Sequence, residues 1–225
     1  MGRGGDVHRC GQTAVALAHL SEKLELRPLT EKYTAAQRAH PVPAALCVLA
    51  MDPDSRVRIK VARQSHHLVC VDTWLVLLDD AERNVTSALL KSLPRLDRDF
   101  AAALARRAAK RGKLLLAREK LLCEEASLVL ASEGDVDVRV ALASHSTFKS
   151  ILQQLLRDEE PDVRLAVLRN GLNSGELALE LVDDPDRSVS AAAHQILGEW
   201  ERSRANDEQF RRKRDQESNG NPIDE

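Results

Sequence analysis

The residues of this chain that could bind a metal are histidines and cysteines in two short clusters. His66, His67 and Cys70 form one cluster, and His8 and Cys10 form the other. A tetrahedral zinc site needs four nitrogen or sulfur ligands, and neither cluster offers more than three. Adjacent histidines in a helix also point in different directions. We therefore predict no metal site and no cofactor.

Motifs for nucleophilic catalysis and for phosphate binding are absent from the sequence. No G-x-S-x-G elbow surrounds a serine, and no cysteine lies in a known catalytic signature. The P-loop pattern G-x-x-x-x-G-K-[ST] does not occur either. Paired carboxylates such as Asp79-Asp80 and Asp183-Asp184 fall at turns and helix starts, where helix capping explains them. The sequence therefore predicts a protein that is not an enzyme.

One stretch of positive charge has the composition of a nucleic-acid site, because seven basic residues lie between positions 106 and 120 with Glu119 as the one acid. Lysines and arginines on a helix surface neutralise phosphates, and such binding depends strongly on salt. Aromatic side chains, the usual platform for stacked bases, are absent from this stretch. The interpretations left open are a solvated helix face, a nucleic-acid site and a site for an acidic protein. The residues of this possible anion or nucleic-acid patch are Arg106, Arg107, Lys110, Arg111, Lys113 and Arg118.

The elements that must position these residues are helices, as the composition indicates. Of the 225 residues, 43% are hydrophobic but only 3% are aromatic, so the apolar content is almost wholly aliphatic. Strands prefer β-branched and aromatic residues, which disfavours a β-sandwich or barrel. The net charge of −2 argues against general polyanion binding. No apolar run approaches the roughly 18 residues of a membrane span, and no secretory pattern begins the chain, so we expect a cytoplasmic protein without membrane contact.

A repeated pattern runs through most of the chain: an acidic residue, a short polar link, a valine, and then a helix of small apolar residues. The anchor valines are 28, 53, 25 and 26 residues apart. Because 53 is about twice the other spacings, we expect one degenerate repeat there, with Gly112 separating its two helices. Each repeat is predicted to be a pair of short helices that buries its apolar face only by stacking on its neighbours. The anchor valines are Val57, Val85, Val138, Val163 and Val189.

A second spacing in the repeats predicts a structural ladder of charged residues. In three repeats an arginine directly follows the anchor valine. In every repeat with an anchor valine, an acidic residue lies six positions before the residue at that arginine position. In stacked repeats such an arginine can reach the acidic residue of its own or the next turn through a charge-assisted hydrogen bond. The alternative is a row of anion-binding arginines. The predicted ladder consists of Asp52, Arg58, Glu133, Arg139, Asp158 and Arg164.

The strings DPDSRVRIKVARQ, DVDVRVALASHS and EEPDVRLAVLRNG resemble HEAT-like repeats and, by their short period, the leucine-rich-repeat variant family. The resemblance covers residues 44 to 196, with a weak stretch at 94–131. It implies an all-α, right-handed α-solenoid of about six repeats of 25–28 residues, as in a bacterial-type repeat protein. Some family members bind an iron–sulfur centre through N-terminal cysteines, but this chain has only Cys10 before Cys47, so we expect no such centre.

The extent of the repeats predicts the domain organisation. We expect an N-terminal helical cap at 1–43, the repeat solenoid at 44–205 and a disordered polar tail at 206–225. Trp74 lies in a run of leucine and valine and is predicted to be a core residue. Trp200, at the end of the last repeat, is expected to cap the core against solvent.

The function that this architecture favours is a non-catalytic interaction scaffold. Stacked helices offer a long concave face, which suits recognition of a partner protein or peptide. The alternative is a DNA-associated HEAT-like protein that binds the backbone, or acts as a glycosylase, through the basic stretch at 106–120. The residues predicted to contact a partner are polar, non-anchor positions of the second helices: Lys60, Arg63, Gln64, Ser144, His145, Arg169 and Asn170.

Overall fold

The computed structural model describes residue 28 and residues 31–32, 43–65, 70–172 and 174–219. Within these ranges the chain forms α-helices and a short 3₁₀ helix, and it forms no strand. The predicted all-α class is therefore confirmed. The cap predicted at 1–43 lies almost wholly outside the described residues.

The chain divides into two compact units, Met1–Ser146 and Thr147–Glu225. This boundary falls inside the range 44–205, for which the sequence predicts one repeat domain. The helices of the first unit are α1 (Pro43–Leu49), α2 (Ser55–Arg63), α3 (Val71–Leu78), α4 (Arg83–Leu90), the 3₁₀ helix η1 (Leu93–Arg95), α5 (Arg98–Arg107), α6 (Lys110–Ala117), α7 (Glu124–Glu133) and α8 (Val136–His145). The helices of the second unit are α9 (Lys149–Leu155), α10 (Pro161–Arg169), α11 (Ser174–Leu179) and α12 (Arg187–Asn219).

The anchor valines all occupy the third position of a helix, and all five are 0% exposed. Full burial of such a side chain stabilises the fold by about 1.5–3 kcal/mol. Acidic residues begin three of these helices by accepting hydrogen bonds from backbone N–H groups, Asp54 at α2, Asp135 at α8 and Asp186 at α12. The local pattern of acid, link and valine thus sets both the start of each helix and its buried face.

The degenerate repeat consists of α5 and α6, and a glycine occupies its anchor position. Gly112 is the third residue of α6 and lies 27 and 26 residues from the anchor valines on either side. The prediction that Gly112 separates two helices is wrong, because the break falls at Ala108 and Ala109, whose backbones are extended. A β-carbon on Gly112 would lie 2.8 Å from Leu78 Cδ2. The Leu78 side chain therefore fills the space that a valine fills in the other repeats.

Alternate helices pack on each other within each unit. In the first unit α2 packs on α4, α3 on α5, α5 on α7 and α6 on α8, and in the second unit α10 packs on α12. Stacking of alternate helices at a regular interval is the arrangement that helical repeats require. Four ion pairs mark the same interval because each joins residues 27 positions apart: Arg98–Glu125, Arg106–Glu133, Lys110–Asp137 and Lys149–Glu176.

The last helix continues further than the composition predicts. The sequence predicts a disordered tail at 206–225, but α12 extends to Asn219. Residues 201–209 are all exposed, so no apolar face is buried there. The segment is rich in arginine, glutamate and glutamine, which favour helix without tertiary contacts.

Both tryptophans contribute to packing. Trp74 is fully buried as predicted, and its indole Nε1 donates to the carbonyl oxygen of Ser65 at 3.1 Å. Trp200 lies against Gly175 on α11, where a β-carbon would collide with the indole ring. The Arg204 guanidinium stands 4.7 Å from the Trp200 ring centroid, at cation–π distance. Trp200 therefore covers one side of α11 in the second unit.

Candidate binding site

Two arginines of the predicted ladder make the same set of contacts, one in each unit. Arg58 donates from Nε and Nη2 to the Asp80 carboxylate at 2.6 and 3.1 Å, and from Nη1 to the carbonyl oxygen six residues earlier at 2.8 Å. Arg164 donates to the Asp184 carboxylate at 2.7 and 2.8 Å, and to the carbonyl oxygen six residues earlier at 2.7 Å. Each arginine thus holds its own turn through the backbone and the next turn through a carboxylate.

The electrostatics of these pairs fix both partners in their charged forms. Burial by itself raises the pKa of Asp80, but hydrogen bonds from Arg58 and from the Glu82 N–H outweigh it and hold that pKa below its usual value. The hydrogen bond from Arg164 lowers the pKa of Asp184. The guanidinium groups of Arg58 and Arg164 have pKa values raised by the same bonds. These arginines are therefore engaged in the fold, which disfavours the alternative of an anion-binding row at their positions.

A lysine that the sequence analysis does not select extends the ladder at its N-terminal end. Lys32 Nζ donates to Asp52 Oδ2 at 2.7 Å, and both side chains are buried. The sequence contains a signal for this contact, because Lys32 lies 20 residues before Asp52, just as Arg164 lies 20 residues before Asp184. A shared interval of 20 residues between cation and acid would have identified it.

The third predicted arginine makes a backbone contact of the same kind in the first unit. Arg139 Nη1 donates to the carbonyl oxygen of Gly134, five residues earlier, at 2.9 Å, as Arg58 does to Pro53 and Arg164 to Glu159. Glu133, however, is exposed and accepts from Arg106 Nε at 3.2 Å. In the turn between α9 and α10, the Asp158 carboxylate accepts a hydrogen bond from the Glu160 N–H at 3.0 Å. Glu133 thus accepts a hydrogen bond from Arg106, which belongs to the basic stretch.

Most of the assigned cations in the basic stretch predicted at 106–120 are engaged by acids or backbone carbonyl groups. Four of its six assigned cations have partners within the first unit, whereas Lys113 and Arg118 have none among the described residues. Hydrogen bonds to two aspartates raise the pKa of Lys110. The pairs are Arg106 with Glu133, Arg107 with Asp72, Lys110 with Asp135 and Asp137, and Arg111 with the carbonyl oxygens of Asp79 and Asp80.

The residues predicted to contact a partner lie at the C-terminal ends of three second helices. Lys60, Arg63 and Gln64 end α2, Ser144 and His145 end α8, and Arg169 and Asn170 end α10.

Some of these side chains bond to their own helix end. The Ser144 hydroxyl donates to the Val140 carbonyl oxygen at 2.9 Å, and His145 Nδ1 lies 2.9 Å from the Ala141 carbonyl oxygen. Asn170 Oδ1 accepts from the Leu172 N–H. Arg63 and Arg169 are exposed and have no side-chain partner within the described ranges.

Arg63 lines an open groove of about 460 Å³ in the first unit, together with residues that the sequence analysis does not select. Ile59 and Arg63 lie on one face of α2, while Ala88 and Lys91 lie on one face of α4. Arg95 of η1 completes the lining on the third side. We call this the cationic groove, because Arg63, Lys91 and Arg95 are all exposed and none has a side-chain partner in the described part of the chain.

Neutral polar groups complete the cationic groove. Asn84 and Ser87 are exposed on α4, three positions apart, and Ser92 lies at the end of that helix. The lining contains neither an acidic nor an aromatic residue. Lys91 holds the same position in its repeat as Arg63 in the preceding one, six residues after the anchor valine. That equivalence is the sequence signal that would have added Lys91 to the predicted site.

Two further features bear on the predicted chemistry. The described residues contain no group of three or more histidine, cysteine or acidic side chains placed to hold a metal, while His8, Cys10, His66 and His67 lie outside them. Among the described helices, none is both long and apolar enough to cross a bilayer. No family model, curated protein or solved structure matches this chain, so its own geometry carries the functional argument.

Proposed function

We propose that this chain is a non-catalytic, cytoplasmic protein-interaction scaffold that binds a partner protein or peptide on its second helices. In this proposal the repeats form a right-handed α-solenoid of the leucine-rich-repeat variant or HEAT-like type. The packing of alternate helices and the ion pairs 27 residues apart support repeat stacking within each unit. Solenoid repeats present extended surfaces that serve recognition.

The observation that carries the proposal is a set of cations at equivalent repeat positions, three in the first unit and one in the second, without a side-chain partner among the described residues. The sixth residue after the anchor position is an exposed cation in four repeats, and none of the four has a side-chain partner among the described residues. The ladder cations, in contrast, are engaged in internal bonds. A cation at a helix C-terminus also favours the helix dipole by about 0.3–1 kcal/mol, so the test must separate binding from stability. These equivalent cations are Arg63, Lys91, Arg118 and Arg169.

The DNA-associated alternative has less support. A protein that follows a phosphate backbone needs a continuous positive track. Within 106–120 the acids of the first unit neutralise Arg106, Arg107 and Lys110, and Arg111 donates to backbone carbonyls. The stretch also contains no aromatic residue for base stacking. Its remaining cations are more consistent with a solvated surface.

Capture from a nuclease-treated native lysate, followed by mass spectrometry, tests the scaffold function. We expect the wild type to retain a specific protein, and the Arg63→Glu/Arg169→Glu variant to release it with Tm changed by less than about 4 °C. The matched control is Arg83→Glu/Arg157→Glu, which reverses two exposed cations at other repeat positions, one in each unit. Retention of nucleic acid alone, or a loss of Tm that parallels the loss of capture, would overturn the proposal.

A further inference from the structure

We infer that the cationic groove between α2, α4 and η1 binds an acidic peptide segment of the partner. The inference rests on the proposed scaffold function and adds the chemistry that the scaffold recognises. It concerns a set of residues within the first unit only, so it requires no assumption about the second.

The first step concerns charge. Arg63, Lys91 and Arg95 converge on one groove, and no acidic side chain lines it. Three like charges in one groove repel each other, and an anionic ligand relieves that repulsion. The two arginines offer planar forks that bind carboxylates through two hydrogen bonds, whereas the lysine acts as a point charge. The groove therefore fits several carboxylates presented together.

The second step concerns the neutral lining, which suits a peptide rather than a small inorganic anion. Asn84 and Ser87 lie beside the cations and provide an amide and a hydroxyl for a peptide backbone. Ile59 and Ala88 supply apolar surface for the methylene groups of acidic side chains. Because most of these side chains are exposed, the groove is open, and it lacks the enclosure typical of small-ligand pockets.

The third step distinguishes a peptide from a nucleic acid. No aromatic residue lines the groove, so bases have no stacking platform there. Asp97 and Asp99 follow Arg95 within four residues, and the basic stretch beyond them is largely neutralised. A polyanion that continued along the chain beyond Arg95 would meet these two acids and Arg98, which is paired with Glu125. A short acidic segment that ends within the groove does not meet the repulsion of Asp97 and Asp99.

Fluorescence anisotropy with a labelled peptide of alternating glutamate and serine tests the inference. We expect binding to the wild type and about tenfold or greater weakening by Arg63→Gln/Lys91→Gln/Arg95→Gln, because each removes a charged hydrogen bond. The matched control is Arg83→Gln/Lys120→Gln/Arg157→Gln, which removes three exposed cations outside the groove. Both triple variants therefore change the net charge of the chain, which is −2, by the same amount. We expect this control to change the affinity less than about threefold, since none of its three cations lines the groove.

Several outcomes would overturn the inference. If both triple variants weaken peptide binding equally, the attraction is non-specific. If the wild type does not bind the peptide, the groove is not a site for acidic peptides. Tighter binding of an oligothymidylate than of the peptide would assign the groove to nucleic acid. If the groove variant still captures the lysate partner that Arg63→Glu/Arg169→Glu releases, the scaffold function stands and the acidic-peptide inference fails. Circular dichroism and Tm of all variants show that each is folded.

Discussion

Arg164 and Asp184 form a salt bridge of two parallel hydrogen bonds, from Nε to Oδ2 at 2.7 Å and from Nη2 to Oδ1 at 2.8 Å. Only 10% of the Arg164 side chain and 3% of the Asp184 side chain are exposed. The third guanidinium nitrogen binds the carbonyl oxygens of Asp158 and Glu159. One side chain thus joins two successive turns of the second unit, and neither turn can exchange these bonds for water without local opening.

Removal of one partner of this pair should destabilise the protein more than removal of an exposed pair. We expect Asp184→Ala to lower the free energy of unfolding by about 3 kcal/mol, because it leaves the Arg164 charge buried without a counterion. Arg164→Met should cost a similar amount, since it leaves the Asp184 carboxylate buried without its counterion and removes the bonds to the Asp158 and Glu159 carbonyl oxygens. Urea unfolding of both single variants and the double variant measures the coupling energy.

The matched control for this cycle is Lys149 with Glu176, an ion pair at 2.8 Å whose two side chains are about half exposed. We expect Glu176→Ala to cost less than about 1 kcal/mol, because water screens an exposed pair. Equal costs for Asp184→Ala and Glu176→Ala would show that the ladder contributes no more than a surface contact.

The stability of the fold should decrease in acid because of the ladder aspartates. The pKa values of Asp80 and Asp184 are lowered in the folded chain, so their contribution is fully present above the unfolded value of about 3.9. It is lost as the pH falls through the lower, folded values. We expect the free energy of unfolding to be flat above about pH 5 and to fall below about pH 4, as measured by urea titration at each pH.

The variant Asp184→Asn is the control for this pH dependence. It carries no titrating carboxyl group at that position, so its stability should be lower at neutral pH but should fall less steeply in acid. A wild-type stability that rises between pH 5 and pH 3 would have the opposite sign and would contradict the assignment.

Two helical glycines should respond to alanine in opposite directions. Gly112→Ala places a methyl group 2.8 Å from Leu78 Cδ2 in a buried site, and we expect overpacking to cost about 1 kcal/mol after the gain in helix propensity. Gly198 in α12 has no atom within 4 Å of the added methyl group, so Gly198→Ala should stabilise by up to about 1 kcal/mol. Urea unfolding measures both changes. A stabilising Gly112→Ala would show that Leu78 moves aside without cost.

The basic stretch should not retain DNA at moderate salt. We expect no retardation of a short duplex by the wild type in an electrophoretic mobility assay at about 0.1 M salt. Asp72→Asn/Asp137→Asn removes acids that pair with Arg107 and Lys110, and this variant should gain weak, salt-sensitive binding. Wild-type binding that weakens steeply with salt would instead restore the DNA-associated alternative.

The fold class was predictable because its signals are local. The third-position valines and the acids that begin their helices lie within a few residues of each other, so one stretch of sequence encodes both helix start and buried face. Gly112 shows the limit of this reasoning. Glycine weakens helices in general, but here it occupies an anchor position, because Leu78 from α3 fills the space. Only the packing of α3 reveals this.

The candidate site was predictable in part. Arg63 was selected from its helical position, whereas Lys91 required a comparison of equivalent positions in two repeats, and Arg95 carries no repeat signal because it lies on η1. The basic stretch at 106–120 is predicted from charge alone, and the sequence does not show that acids pair with Arg106, Arg107 and Lys110.

The sequence by itself determined a helical chain with a repeat of 25–28 residues, buried valine anchors and an acidic residue six positions before each ladder arginine. The tertiary structure decided which carboxylate each cation binds and therefore which cations remain for a ligand. The physical reason is distance along the chain. Helix periodicity acts over three or four residues, but Arg164 meets Asp184 across 20 residues and Arg107 meets Asp72 across 35, and only stacking brings such partners together.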